Sequence, residues 1–301
     1  MSKLLFIYNP CSGRGKIKSH LSDVVDIFTK NGYEVTVYPT QSQGDCTRRV
    51  AAAAQEDFDR IIAAGGDGMM HELMVAAVGS KMKTVVGYIP TGTVNDFAAS
   101  NHIPRNINAA AENAVQGTAA YIDAASFNQT YFSYVAAFGL ITQVSYSTDQ
   151  RAKNFMGGLA YFFEAMKSLD SEHISEASNF LDITADERKF SGEFIFGAVT
   201  NSTSIGSMKN FFPPDVKLDD GILEGIFIKR PKNIIELDNI RKSLMNKKLD
   251  ADCIVSVRAA DFLIKSEKQM AWTLDGENGG VHENVSIRAI PQAIRIALPA
   301  L

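Results

Sequence analysis

The sequence predicts two joined folds: an N-terminal α/β domain built on a parallel sheet, then an all-β domain of mainly antiparallel strands. Three observations predict this. Short apolar runs alternate with longer helical patterns over the first third of the chain, and that alternation argues for right-handed βαβ units. From Ala120 onward, short strand-like runs dominate. The run Arg60–Ala64 ends abruptly in Gly65-Gly66-Asp67-Gly68, a glycine turn that opens a helix. The expected domains are residues 1–122 and 123–291, with 292–301 free to return to the first.

Taken in order, Leu4–Tyr8 reads as the first strand, and the preceding residues lack the apolar core and cleavage site of a secretory leader. Ile17–Lys30 reads as a helix, Glu34–Tyr38 as a strand, and Asp45–Glu56 as a helix. Arg60–Ala64 is the third strand. The helix Met69–Val78 follows it, with Met70, Leu73, Met74 and Ala77 at the i, i+3, i+4, i+7 spacing of one buried stripe. Thr84–Ile89 is the fourth strand. Beyond Ala120 the strand-like runs are 131–138, 179–184, 192–200, 223–228, 253–259, 270–274 and 285–289. Two helical stretches interrupt them: one with a face of Leu159, Phe162, Phe163, Met166 and Leu169, the other Ile234–Leu249.

Composition narrows the function. A 301-residue chain with 46% hydrophobic and 21% charged residues is an ordinary globular protein, and a net charge of −4 gives no electrostatic footprint for nucleic acid. Cys11, Cys46 and Cys253 are odd in number and widely spaced, as expected of reduced cytoplasmic thiols without a zinc site. No apolar stretch approaches the roughly 20 residues needed to span a bilayer, so a lipid substrate would have to be met at the membrane surface. Neither G-x-x-x-x-G-K-[ST] nor a helix-opening G-x-G-x-x-G occurs. The histidines (His20, His71, His102, His173 and His282) are scattered, with no catalytic or metal-binding spacing.

Ligands of parallel sheets sit beyond the carboxyl ends of the strands. Four loops with small, hydroxyl or glycine residues fall there: Asn9-Pro10-Cys11-Ser12-Gly13, Thr40, the glycine run, and Pro90-Thr91-Gly92-Thr93. Glycines let a bulky anion approach the backbone, and a helix N-terminus directs N–H groups and partial positive charge at it. A phosphate fits, and Asp67 could steer an accompanying Mg²⁺; the alternative makes Asp67 a helix N-cap. Ser12-Gly13-Arg14-Gly15-Lys16 adds two cations, as a phosphate cradle or a basic surface turn. Thr93 and Asn95 offer neutral donors, and Asp96 is either a capping residue or a site contact. Further on, Asp215, Asp219 and Asp220 crowd one turn-rich loop, suited to Mg²⁺ or to a solvated hairpin. Leu274-Asp275-Gly276-Glu277 reads as a hairpin whose Glu277 could serve as a general base.

Together these pieces resemble the soluble diacylglycerol-kinase-like lipid kinases, relatives of sphingosine kinases, and look most similar to the Gram-positive bacterial diacylglycerol kinases. Asn9-Pro-x-Ser-Gly13, Gly65-Gly66-Asp67-Gly68, Pro90-x-Gly92-Thr93-x-Asn95-Asp96-Phe97-Ala98, Asp219-Asp220-Gly221 and Asp275-Gly276-Glu277 follow that family's motifs in order along nearly the whole chain. The resemblance implies a nucleotide-binding domain like those of NAD kinases and phosphofructokinases, followed by a β-sandwich. It implies ATP and Mg²⁺ as cofactors. ATP would be lined by Asn9, Pro10, Cys11, Ser12, Gly13, Arg14, Thr40, Gly65, Gly66, Asp67, Gly68, Met69, Met70, His71 and Thr93. Asp67 and Asp96 would organise phosphates and metal, and Glu277 would deprotonate the lipid hydroxyl. Asp215, the Leu218 carbonyl and Asp220 would hold a structural Mg²⁺.

The implied activity is phosphorylation of diacylglycerol to phosphatidic acid by a cytoplasmic protein visiting the inner membrane face, with a homodimer as one possible assembly. The face around Phe162 and Phe163 would be an acyl-chain wall, or simply core. Two alternatives stand beside this: a kinase of another hydroxyl lipid or of NAD, and a weakened nucleotide- or lipid-binding relative. The last arises from one departure. Where the family reads Gly-Gly-Asp-Gly-Thr-x-Asn-Glu, this chain has Met69 and His71. Losing one hydrogen bond to a charged phosphate costs about 1.5–3 kcal/mol, or roughly ten- to a hundredfold in affinity. A His71 that took over the Asn contact would make activity depend on pH.

Overall fold

The computed structural model describes residues 1–139, 178–203, 216–246 and 248–300. Asp215 and the helical face from Leu159 to Leu169 lie outside them. The chain divides into two compact units, Met1–Ala124 with Tyr131–Ser133 and Ile290–Leu301, and Ala125–Thr130 with Tyr134–Ala289.

In the first unit β1 (Ser2–Tyr8), β2 (Tyr33–Pro39), β3 (Arg60–Gly65) and β4 (Val85–Pro90) pair in parallel in the order β4-β3-β1-β2. The last residues of the chain return here: Ile296 pairs in parallel with Val86 beside β4, and Asp123 accepts the Gln292 N–H at 2.7 Å. Strand alternation sorts the side chains of β1. Leu4, Phe6 and Tyr8 join a cluster with Ile17, Val24, Phe28 and the alanines of helix α6 (Ile107–Gln116), while Leu5 and Ile7 are buried on the opposite side. Phe6 meets Phe28 edge-on at 5.4 Å between ring centroids. Helix α4 (Asp67–Gly79) follows β3 and is apolar nearly all round, with Met69, Met70, Leu73, Met74, Ala76, Ala77 and Val78 buried. A helix of that pattern belongs in an interior.

Two departures from the sequence reading have local causes. The expected helix Ile17–Lys30 is broken into α1 (Lys16–Ser19) and α2 (Leu21–Lys30). The Ser19 hydroxyl and the His20 ring both bond the Lys16 carbonyl, so side chains compete with the helix's own hydrogen bonding there. Helix α6 and strand β5 (Thr118–Phe127) have no counterpart in that reading, because their alanine-rich stretches carry little periodicity. Helix α3 (Asp45–Ala53) and the short α5 (Asp96–Ser100) complete the helices the argument needs here.

The second unit is antiparallel where its pairings are described. Strands β7 (Val135–Gly139), β9 (Arg188–Thr200), β10 (Leu223–Lys229) and β11 (Ile254–Ala259) run side by side, and β8 (Asn179–Ala185) pairs β9. The long β12 (Asp261–Leu274) and β13 (Glu277–Leu298) form a hairpin with register shifts after Lys265 and after Ala271. The sequence reading saw only the last residues of β12 and the middle of β13, and the polar run Lys265-Ser266-Glu267-Lys268-Gln269 hides the alternation in β12. It also read residues 131–138 as one strand. The structure stops β6 (Thr130–Phe132) before β7, and between them the Tyr134 N–H turns to the Asp275 carboxylate instead of a ladder. No helix among the described residues is long and apolar enough to cross a membrane.

Helix α6 approaches β4 at Gly87, where an added Cβ would sit 2.7 Å from the Ala114 Cβ and 3.1 Å from Ile62 Cγ1. Gly87→Ala should therefore lower stability by about 1–3 kcal/mol through overpacking. Urea unfolding checks this: the midpoint should fall while the slope stays as in the wild type.

Candidate functional site

The parallel ladder runs past the ends of the strands and binds the four loops together. The Thr40 N–H donates to the Tyr8 carbonyl (2.9 Å), the Asn9 N–H to Ala64 (2.9 Å), and the Thr91 N–H to Gly65 (2.8 Å). The loops after β1, β2, β3 and β4 thus lie side by side at the carboxyl edge of the sheet. Three of them come closer than side chains allow. A Cβ on Gly13 would lie 2.1 Å from the Thr91 carbonyl oxygen, and one on Gly92 would lie 2.6 Å from the Gly66 Cα. The Thr91 and Ser12 hydroxyls meet at 2.9 Å.

The first loop is shaped for an anion. The Cys11 N–H donates to the Asn9 side chain at 2.9 Å, tightening the entry, and the backbone then passes from right-handed at Cys11 to left-handed at Gly13, Arg14 and Gly15. Such changes of hand gather successive N–H groups into anion-binding concavities. Arg14 is exposed beside them. Helix α4 opens at the same edge with Gly66 as its N-cap and no side-chain cap, so its first turn presents N–H groups and the positive end of the helix dipole.

Asp67 is not a capping residue. Its Oδ2 accepts the Asn95 N–H at 2.8 Å, from the neighbouring loop. Asn95 and Asp96 are each 3% exposed, and Thr93 is exposed. The buried Tyr88 hydroxyl lies 3.0 Å from the Gly65 carbonyl; burial, reinforced by the charge of Asp67, holds its pKa well above the ordinary phenol value. It remains a neutral donor at any physiological pH. Met69 packs directly over Gly65, where an added Cβ would stand 2.3 Å from the Met69 Cβ, and its N–H is used by the Gly66 carbonyl at 3.0 Å. The methionine side chain at this position serves the core. His71 is half-buried.

Sequence reasoning missed Glu72, one turn further along α4. Its carboxylate accepts the N–H groups of Gly44 (2.8 Å), Cys46 (3.0 Å) and Thr47 (3.3 Å), and so caps α3 from another helix. No local pattern marks a cap supplied from 25 or more residues away. Next to it, the Gln41 N–H chiefly, with Tyr38 and Arg48 adding and burial opposing, holds the Asp45 carboxyl below the ordinary aspartate value.

In the second unit the Leu274–Glu277 hairpin closes on two left-handed residues, Asp275 (φ 52°) and Gly276 (φ 88°), as an Asp-Gly pair favours. Asp275, read from the sequence only as a turn and motif residue, is 2% exposed, and its Oδ1 accepts the N–H groups of Tyr134 (2.9 Å) and Val135 (3.0 Å). Glu277 follows on a partly exposed position. The Tyr134 carbonyl takes the Asn201 N–H at 3.0 Å and the Thr200 hydroxyl, and the Asn201 amide reaches the Leu218 carbonyl at 3.3 Å. Asp220 accepts the Ile222 N–H (3.1 Å) on one oxygen and Arg258 (3.0 Å) on the other, and Arg258 also pairs with the buried Glu224 (3.3 Å). Each of these oxygens keeps a lone pair, while the charge of Asp220 is paired with Arg258. Among the described residues, no three His, Cys, Asp or Glu side chains converge on a metal-sized space.

Comparison with known proteins identifies the family. Residues 3–127 match the family described as "Diacylglycerol kinase catalytic domain", and residues 133–298 match "YegS C-terminal NAD kinase beta sandwich-like domain". A Bacillus subtilis (strain 168) diacylglycerol kinase is 34% identical over 283 residues, which is 93% of this chain and 91% of that protein. One from Staphylococcus carnosus (strain TM300) is 33% identical, over 91% and 88% respectively. A crystal structure of a diacylglycerol kinase from Bacillus anthracis (strain Sterne) shares the fold, with a TM-score of 0.84 at 24% identity over 99% of this chain and 97% of its own.

Two outcomes are expected from the α3 cap. Glu72→Ala leaves three N–H groups without their acceptor and should destabilise the first unit by about 1–3 kcal/mol in urea unfolding. Asp45, with its folded pKa depressed, contributes stability that is present above the unfolded aspartate value and lost as pH falls through the folded one. Asp45→Asn should therefore be less stable than wild type at neutral pH, and the two should converge as acid is added.

Proposed function

The chain belongs to the diacylglycerol kinase family, and on that premise we infer that it transfers a phosphoryl group from ATP to the free hydroxyl of diacylglycerol, forming phosphatidic acid. The observation that carries this is the match to named diacylglycerol kinases along 93% of the chain at 34% identity. Phosphoryl transfer asks a protein mainly for positioning and neutralisation of charge. The converging loops of the first unit supply the means. Glycine backbone, the first turn of α4, the Ser12 and Thr91 hydroxyls and Arg14 are suited to a polyphosphate.

ATP would be held by Asn9 to Arg14, Thr40, Gly65 to His71 and Thr93, and it supplies the phosphoryl group. Asp67 and Asp96 would orient the phosphates and a Mg²⁺ ion. Glu277 would take the proton from the lipid hydroxyl, since a carboxylate acting as general base contributes about 10²–10⁴-fold. Asp215, the Leu218 carbonyl and Asp220 would fix the acidic loop around a second Mg²⁺, the lone pairs left on Leu218 and Asp220 being the support for this. The site of action would be the inner membrane face, reached from the cytoplasm, because the acceptor is a membrane lipid.

Incubation with labelled ATP, Mg²⁺ and a panel of mixed micelles should label diacylglycerol; labelling of a sphingoid base or of NAD instead would overturn the substrate. Glu277→Gln should lower kcat about 10²–10⁴-fold with little change in KM for the lipid. Full turnover in that variant removes Glu277 as the base. Mg²⁺ should raise the Tm of the wild type more than that of Asp220→Asn, and a Tm indifferent to Mg²⁺ in both would dismiss the structural metal.

A further inference from the structure

Asn95 adopts the left-handed conformation (φ 56°, ψ 53°), which a residue with a side chain rarely takes and asparagine tolerates better than most. Several bonds hold it there. Its Nδ2 donates to the Gly92 carbonyl at 2.7 Å, and its Oδ1 accepts the Gly92 N–H at 3.1 Å. One side-chain amide thus binds both backbone groups of a single residue, across the two peptide units that flank it. The Tyr88 hydroxyl lies 3.4 Å from the same Oδ1 and 3.0 Å from the Gly65 carbonyl; with one proton to give, it donates to either in turn. The amide is 3% exposed and occupied by Gly92, so it is turned inward rather than offered to a phosphate.

The consequence lies in the backbone. The left-handed turn aims the Asn95 N–H at the Asp67 Oδ2, 2.8 Å away, and the Asn95 carbonyl accepts the Ala99 N–H at 3.0 Å, starting α5. Asp96 is the next residue. Both carboxylates assigned above to phosphates and metal are therefore placed by one residue, Asp67 through a hydrogen bond and Asp96 through the direction of the chain. We propose that Asn95 is a positioning residue for phosphoryl transfer, whose amide clamp on Gly92 fixes the left-handed turn that orients Asp67 and Asp96. This rests on the kinase reading of those carboxylates.

A residue that only shaped a turn would affect stability and leave the rate law alone. A positioning residue affects kcat more than KM. The test uses the full chain with ATP, Mg²⁺ and diacylglycerol micelles, and compares N95A, N95G and D67N. Glycine keeps the left-handed backbone and loses the clamp; alanine loses both. N95A is expected to lower kcat about 100-fold, as small misplacements do, with KM for ATP and lipid within about threefold of wild type. N95G should fall between them. If N95A fails to melt cooperatively, N95G decides. Wild-type kcat in every variant that folds, alongside an inactive D67N, would overturn the positioning role alone. A fully active D67N would overturn the catalytic reading of Asp67 and this proposal with it.

Discussion

Three loop backbones in the first unit approach one another more closely than any side chain permits, and the candidate nucleotide site depends on that approach. Gly13 abuts the Thr91 carbonyl and Gly92 abuts the Gly66 Cα, each at a distance that excludes a Cβ. The parallel ladder brings the loops to one edge, and the missing side chains let them close. What results is a surface of backbone N–H groups and hydroxyls next to a helix N-terminus, with Asp67 within it. An anion can be met there by the peptide backbone itself. The glycines are required by contact geometry.

The second unit organises its own carboxylates by the opposite device, a buried and hydrogen-bonded side chain. Asp275 is almost wholly enclosed, and its acceptance of two N–H groups from Tyr134 and Val135 is what makes such burial tolerable. The hairpin that carries Glu277 is thereby tied to the start of β7. Through the Tyr134 carbonyl the same segment reaches Asn201 and the Leu218 carbonyl of the acidic loop. Glu277 and Leu218, far apart in sequence, hang on one short run of backbone. In that unit position is set by hydrogen bonds; in the first it is set mainly by sterics.

The departure at Met69 and His71 also takes a physical form. Met69 lies over Gly65 as part of the apolar wall of α4. Its N–H is committed to the Gly66 carbonyl, so the exchange leaves the course of the helix start intact. The loss falls on one side-chain donor, while the backbone donors of the first turn stay in place.

The strand–helix alternation, the edge on which the loops fall, the Asp-Gly hairpin and the five motif segments could all be read from the sequence. Each depends on local periodicity or on residues whose backbone preference is intrinsic: glycine after β3, Asp275-Gly276 in a two-residue turn. The breaks were harder. A helix interrupted at His20, a strand ended at Phe132 and the polar middle of β12 reflect competition between neighbouring or distant hydrogen bonds, which periodicity does not record. Tertiary structure alone decided the roles of Glu72, Tyr88, Asn95 and Asp275. Each acts on a backbone group or carboxylate that the fold, rather than the chain, places beside it. A sequence names the side chains that can donate or accept; which partner each one finds is set by the register of strands and the packing of helices.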